Sequence, residues 1–534
     1  MEVAAGLAVG YAVEVLAYIP ARAVGVPLLV LVPPGLIVGA FVCVPGLRRH
    51  WRRPVGGERM PPWCAWALAG VVAFLVVWSA LFQYRVPVEA GYVDMPYHLA
   101  LVGEVKHHFP PTMPAVLGEP LAYHWFVYAE MAATSWVTGI EPATLVYRLS
   151  MLPMAVATVV LVAALGRRLG GGWGAGVAAV GVTYFLFSPA LVEGAVFSSR
   201  SMFTVSTSPT QTFGALLFVP VVLLLVGVRR AGWACGGGWA RWVVLGVLLV
   251  ALAGAKATYL PLLLAGLTVV IAVRWVVERR VPGVWVGVGT RLGVGTRVGV
   301  GTRVGVGTRV GVGTRVGVRT RVGVRTRVGV GTRVGVGAWV GAAALVLGCL
   351  VFAQVVLFGQ GSQGMVVSPF ATMRAVWGEV AGVGMPALAS VSAVPLAVLT
   401  GVHLFCLACV WGGVAGLGRR VLEPGVLLLL GIVAAGIGAT VVFGHPAESQ
   451  LYFLEAARPY LSVAAVCGVV AVGRVPWVRA GCLAVVGAGA ALVVSGAGGV
   501  STAGSVSATG AVSGAGAASA AGAVSGAGAA SAAG

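Results

Sequence analysis

A carboxylate and an imidazole, Asp94 and His98, stand four residues apart in YVDMPYHLALVGEVKHHFPPTMPAVLGEPLAYHWF, residues 92–126. Asp94 is the chain's sole aspartate, and this stretch also holds His98, His107, His108 and His124, four of the seven histidines. On a helix the spacing puts Asp94 and His98 on one face, and His108 falls close to that face if the helix runs so far. An acid beside an imidazole can deprotonate a hydroxyl or hold a divalent metal. Asp94 is also followed by Met95 and Pro96, the signature of a helix N-cap; cap and functional acid are compatible. Glu104 is either a second acid or a solvated helix residue beside Lys106. His107, His108 and His124 match no zinc spacing and have no cysteines nearby, which favours hydrogen bonds to headgroups or carbonyls over metal ligation.

Further polar residues recur between apolar runs. Glu193, Arg200 and the run Ser206–Thr212 could line a polar cavity or bind a sugar; the bland alternative is a turn-rich loop with Thr212 capping the next helix. Lys256, one of two lysines, ends an apolar run in GAKATYLP. A lysine there calls for an anionic partner such as a phosphate headgroup, unless it simply snorkels. Arg458 opens a late apolar run, where it suits phosphate geometry or a local pair with Glu455.

The elements that position these residues are membrane helices. The chain has 534 residues, 59% hydrophobic and 9% charged, and its mean hydropathy is +0.98. Soluble domains carry about 25% charged residues, so this chain cannot cover a water-facing surface. Its apolar runs predict an all-α polytopic bundle of about 13 spans. They fall at 4–20, 26–43, 63–82, 143–165, 173–191, 213–228, 240–256, 259–277, 338–358, 388–411, 425–443, 459–473 and 477–495. Arginine clusters at 48–53, 167–168, 229–241, 274–280, 419–420 and 474–479 then share one side, which is the cytoplasm when the N-terminus is cytoplasmic. Loops 83–142, 192–212, 359–387 and 444–458 face outward and carry the polar residues named above. Two short helices are expected in the first of these loops, at 94–108 and 121–138. Their aromatics Tyr92, Tyr97, Phe109, Tyr123, Trp125, Phe126, Tyr128 and Trp136 suit the headgroup level.

The net charge of +20 owes much to ten arginines between Arg291 and Arg333, inside a VGVGTR hexapeptide array at 289–337. Its glycine density disfavours helix and strand, so a tolerant cytoplasmic loop is expected, touching at most anionic lipid. The charge is not read as nucleic-acid binding. The tail 496–534 is Gly/Ala/Ser-rich and linker-like. Cys406 and Cys409, in an apolar run, are read as packing residues, and no outside disulfide framework is expected.

A span at 63–82, then an outside loop with an acid just past the membrane, two short helices and many more spans resemble the GT-C superfamily of membrane glycosyltransferases. The likeness covers roughly 63–280. It is closer still to actinobacterial membrane proteins with a D-x-x-x-H and a YHW loop, here Asp94 to His98 and Tyr123-His124-Trp125. It divides the chain into N-terminal helices (1–62), a GT-C-like core (63–280), the repeat (281–337), C-terminal helices (338–495) and the tail. It implies a plasma-membrane enzyme that moves a sugar from a polyprenyl-phosphate donor to an acceptor hydroxyl on the outer face. Asp94 would be the base or metal-associated acid, with His98 or Glu104 supplying the second group that many members carry as an adjacent acid. Lys256 and Arg458 would hold the phosphate, and Tyr97, His108, His124, Glu193 and Arg200 would meet substrate. No motif demands a cofactor; a divalent metal at Asp94 and His98 is the one admitted. The partners expected are membrane lipid and the lipid-linked sugar. The other classes are a transporter or flippase for a lipid-linked or anionic solute, which predicts ionisable residues at mid-membrane depth, and a non-catalytic assembly protein on a transferase fold.

Overall fold

The structure is a computed structural model and describes residues 2–48, 60–83, 94–116, 118–186, 208–227, 238–280, 287–294, 322–329, 336–359, 364–381, 392–445 and 448–472. Its helices run in order α1 (Glu2–Ala23), α2 (Val32–Cys43), α3 (Pro62–Trp78), α4 (Met95–His107), α5 (Phe126–Thr138), α6 (Met151–Gly170), α7 (Trp173–Phe185) and α8 (Pro209–Val226). They continue as α9 (Gly238–Ala253), α10 (Tyr259–Arg280), α11 (Val336–Phe352), α12 (Ala371–Ala381), α13 (Ala393–Trp411), α14 (Pro424–Val442) and α15 (Leu451–Val472). Among the described residues, nine helices are long and apolar enough to cross a membrane, so the chain is a multi-pass helical bundle. Three expected spans are shorter apolar helices: α2 with its preceding turn, α7 and α9. The expected span 477–495 and the tail lie outside the described residues.

Several boundaries move. α8 starts at Pro209 with Ser208 as its extended N-cap residue, so Thr212 lies inside the first turn and is not the cap. α15 starts at Leu451 and carries Pro459 within it, so Glu455 and Arg458 are helical rather than loop residues. Inside the repeat, β1 (Gly287–Val294) pairs antiparallel with β2 (Val322–Gly329), Thr290 opposite Thr326. This departs from the expectation that glycine disfavours strand there. Val288, Thr290, Leu292 and Val294 alternate with other residues in β1, as Val322, Val324, Thr326 and Val328 do in β2, which supplies the strand period.

The largest correction concerns α5. Its residues Phe126–Ala133 are buried, and it packs against α1, α4 and α8 instead of lying among headgroups. A helix that is apolar nearly all round belongs inside a bundle. Ala129, Ala132 and Ala133 are small enough to let its neighbours approach closely. Trp136, near its end, stays 39% exposed. Gly139 closes it in a left-handed conformation, φ 74°, its amide bonded to the Ser135 carbonyl, a conformation open to glycine without a Cβ penalty.

The two ends of the bundle differ. At one, Arg420 donates to the Leu169 carbonyl at the end of α6, and the Arg168 guanidinium lies against Gly227 at the end of α8. At the opposite end of α8, Thr210 meets Lys256, and Lys256 lies over Tyr452 in the first turn of α15. Arginine thus gathers at one end of these helices and the mixed polar groups at the other.

Candidate functional site

Asp94 opens α4. Its backbone is already helical (φ −83°, ψ −8°), and its side chain makes no capping bond. A capping side chain needs an extended backbone to reach the first amides, so the carboxylate is exposed and not engaged with its own helix. Its carbonyl accepts the His98 amide at 3.0 Å. His98 is 6% exposed. Its Nδ1 lies 2.7 Å from the Tyr128 hydroxyl, and the two rings stack at 5.7 Å. Tyr128 therefore fixes the imidazole through Nδ1, and Nε2 is the atom presented to a ligand. Burial, and then the Lys256 charge, lower His98 to about 4, so the ring is neutral at neutral pH.

Lys256 arrives from the turn between α9 and α10. That turn is pressed onto the start of α5: the Phe126 amide donates to the Gly254 carbonyl at 3.1 Å. A Cβ on Gly254 would stand 2.3 Å from the Phe126 ring, so glycine is what permits the contact. Lys256 is 6% exposed, donates to Thr210 Oγ1 at 3.3 Å and lies 3.9 Å from the Tyr452 ring centre. Burial lowers it to about 8, against the opposing charges of Glu455 and Asp94. Asp94 and Lys256 are thus close enough for their charges to act on each other.

His124 stacks on Tyr123 at 3.8 Å, and Tyr123 meets Tyr97 edge-on at 6.2 Å. Burial, then the Lys256 and His98 charges, hold His124 well below the ordinary imidazole range. His124 Nε2, Gln211 Oε1 and Thr258 Oγ1 are buried with no hydrogen-bond partner among the described residues. Buried polar atoms of this kind ask for a polar ligand or water. The cluster therefore offers an exposed carboxylate, a neutral imidazole, a cation and unmatched polar atoms.

Other expected members are elsewhere. Glu104 lies at the far end of α4, about 15 Å along the axis at 1.5 Å per residue. It accepts the Thr112 amide at 2.9 Å and hydroxyl at 2.6 Å and pairs with His108 Nδ1 at 2.8 Å. Burial works against its charge, but Thr112 and His108 outweigh it and lower its pKa. Glu104 and His108 therefore fasten the loop that follows α4 and do not supply a second group beside Asp94. His107 accepts Arg22 on its carbonyl. Arg458 is 2% exposed; it donates from Nε to the Thr183 carbonyl at 3.1 Å and from Nη2 to the Leu186 carbonyl, and lies over Trp411. It anchors the carbonyl end of α7, where a cation complements the helix dipole. Glu193 and Arg200 lie outside the described residues.

Among the described residues no three His, Cys, Asp or Glu side chains converge as a metal cage. Asp94 and His98 would fit a divalent ion that takes its remaining oxygens from a ligand. Sequence reasoning placed Tyr128 only among headgroup aromatics and did not pair it with His98, and it named Gln211 only as part of the polar run Ser206–Thr212. It also gave no part to Glu130, whose position in the otherwise apolar run VYAEMAA was the available signal. No family model matches the chain, and neither does any curated protein or solved structure.

Proposed function

We propose that the chain is a GT-C-like inverting glycosyltransferase of a plasma membrane, using a polyprenyl-phosphate-linked sugar on the outer face. One observation carries this reading: the sole aspartate and one of two lysines, remote in sequence, share a cluster with two neutral histidines. In the reaction the acceptor oxygen attacks the anomeric carbon, and the carbon–oxygen bond to the phosphate breaks. Asp94 takes the acceptor's proton. The polyprenyl phosphate leaves with its new charge held by Lys256. His98 orients the acceptor through Nε2, and His124, Gln211 and Thr258 bond the sugar hydroxyls. Asp94 and His98 would hold a divalent ion, which would supply Lewis-acid stabilisation.

The test compares polyprenyl-phosphate sugars and surface glycans in cells lacking the gene, carrying it, or carrying Asp94→Asn. The donor lipid accumulates and one glycan vanishes in the first and third alike, and transfer in membranes falls by about 10²–10⁴-fold on Asp94→Asn. Full rescue by Asp94→Asn would falsify the assignment of the base.

A second reading, an exporter or flippase for a lipid-linked or anionic solute, gains support from one feature. Glu14 and Glu130 face each other inside the bundle through Thr134, and buried ionisable groups mark ion pathways. Under that reading loss of the gene changes the substrate's sidedness, and Asp94→Asn restores it.

A further inference from the structure

Across α5 from the Lys256 cluster lies a second polar site whose contacts among the described residues include no cation. Thr134 Oγ1 stands 3.4 Å from Glu14 Oε1 of α1 and 3.2 Å from Glu130 Oε1, one turn earlier on α5. Glu130 is 3% exposed, and its other oxygen, Oε2, is buried with no partner among the described residues. The Thr134 hydroxyl owns a single hydrogen, so it can donate to one of the two carboxyls only. The remaining oxygen–oxygen contact then lacks a hydrogen, unless a carboxyl supplies one.

We propose that Glu14 and Glu130 form a buried proton-binding site, in which one proton is held between the two carboxyls joined by the Thr134 hydroxyl. Two ionised carboxylates in so apolar a place would be strongly disfavoured without a counter-charge, and paired acids relieve this by sharing a proton. The titratable groups on the elements packed against α5 agree. α1 presents Tyr11 and Glu14, and the Tyr11 ring packs on Phe213 of α8. α4 presents His98, which bonds Tyr128, and Lys106, which bonds Ser135 at 2.9 Å. The turn at 27–31, PLLVL, carries no titratable side chain; Tyr147 and Arg148 follow α5 on the segment before α6. Burial, and next the charge of Glu14, keep the Glu130 carboxyl well above the ordinary range.

The placement links the site to the other cluster. Residues two apart on a helix point to nearly opposite faces. Tyr128 accordingly meets His98 on one side of α5, and Glu130 meets Glu14 on the other. This inference does not rest on the transferase reading.

Infrared difference spectroscopy on the purified full chain in lipid nanodiscs tests it. A protonated-carboxyl C=O band is present at neutral pH and bleaches only on alkalinisation. It is lost in the double variant Glu14→Gln/Glu130→Gln and kept in Glu104→Gln. A spectrum that is the same in wild type and double variant overturns the proposal. So does a band removed by sodium at constant pH, which marks a metal-cation site. Should the double variant fail to fold, Glu130→Asp decides: a shifted band supports the site, and an unshifted one overturns it.

Discussion

The two polar clusters flanking α5 differ in what compensates their charge. On the α4 side Asp94 has Lys256 within electrostatic reach, and the histidines between them are neutral. On the α1 side two carboxyls meet across a hydroxyl. An exposed carboxylate not engaged with its own helix is free to meet an acceptor hydroxyl and act as a base. A carboxyl buried opposite another acid keeps its proton instead. One helix thus separates an acid placed to receive a proton from a pair placed to hold one.

The contrast depends on the seat of Lys256, so the largest effect is expected from Gly254→Val. Its branched side chain must displace the Phe126 ring, and overpacking of this kind costs about 1–3 kcal/mol. The expected outcome is a lowered melting temperature together with loss of binding to polyprenyl phosphate. A variant that loses stability but binds normally would show that Lys256 is held by Thr210 and Tyr452 without help from Gly254.

The cation itself gives the next effect. Lys256 titrates at about 8, so it is protonated below that pH and loses its charge above it. Binding of polyprenyl phosphate should weaken as pH rises through about 8, although a bound anion will move the midpoint upward. Lys256→Met should weaken binding by about 10–100-fold, matching a lost charged hydrogen bond, and flatten the pH dependence. Lys256→Arg should carry binding to higher pH, because guanidinium keeps its proton. A profile unchanged in Lys256→Met would remove the lysine from the phosphate site and erase the difference between the two clusters.

Much of this was legible in the residues. Apolar runs gave most of the helices, because backbone satisfaction in a membrane leaves few alternatives. Asp94, His98, His124 and Lys256 stood out by rarity in an acid- and lysine-poor chain, and the structure gathers them. Position along a helix was less legible. Glu104 shares α4 with Asp94, but hydrogen bonds to Thr112 and His108 claim it. Arg458 was read as a phosphate binder opening a late apolar run; the helix begins earlier, at Leu451, and the guanidinium meets the end of α7. The burial of α5 was hidden by its aromatics, which suit an interface as well as a core. With α5 placed outside the bundle, the meeting of Glu130 and Glu14 had no reason to be considered.

The smallest effect has an unusual sign. A carboxyl whose proton is held more tightly in the folded state opposes folding once the unfolded chain ionises. Below the unfolded value of about 4.3 both states carry the proton, and Glu130 is neutral in its effect. As pH rises past that value the unfolded state sheds its proton and gains relative to the folded one. Glu130→Gln mimics the protonated carboxyl and removes this penalty. It should therefore raise the melting temperature at neutral pH by about 2–4 °C, with the gain vanishing in acid. The measurement is thermal unfolding of both proteins across a pH series. Were Glu130 ionised in the fold and matched by a bound cation, the same substitution would lower stability at neutral pH, and the acid pair would belong with the charged cluster across α5.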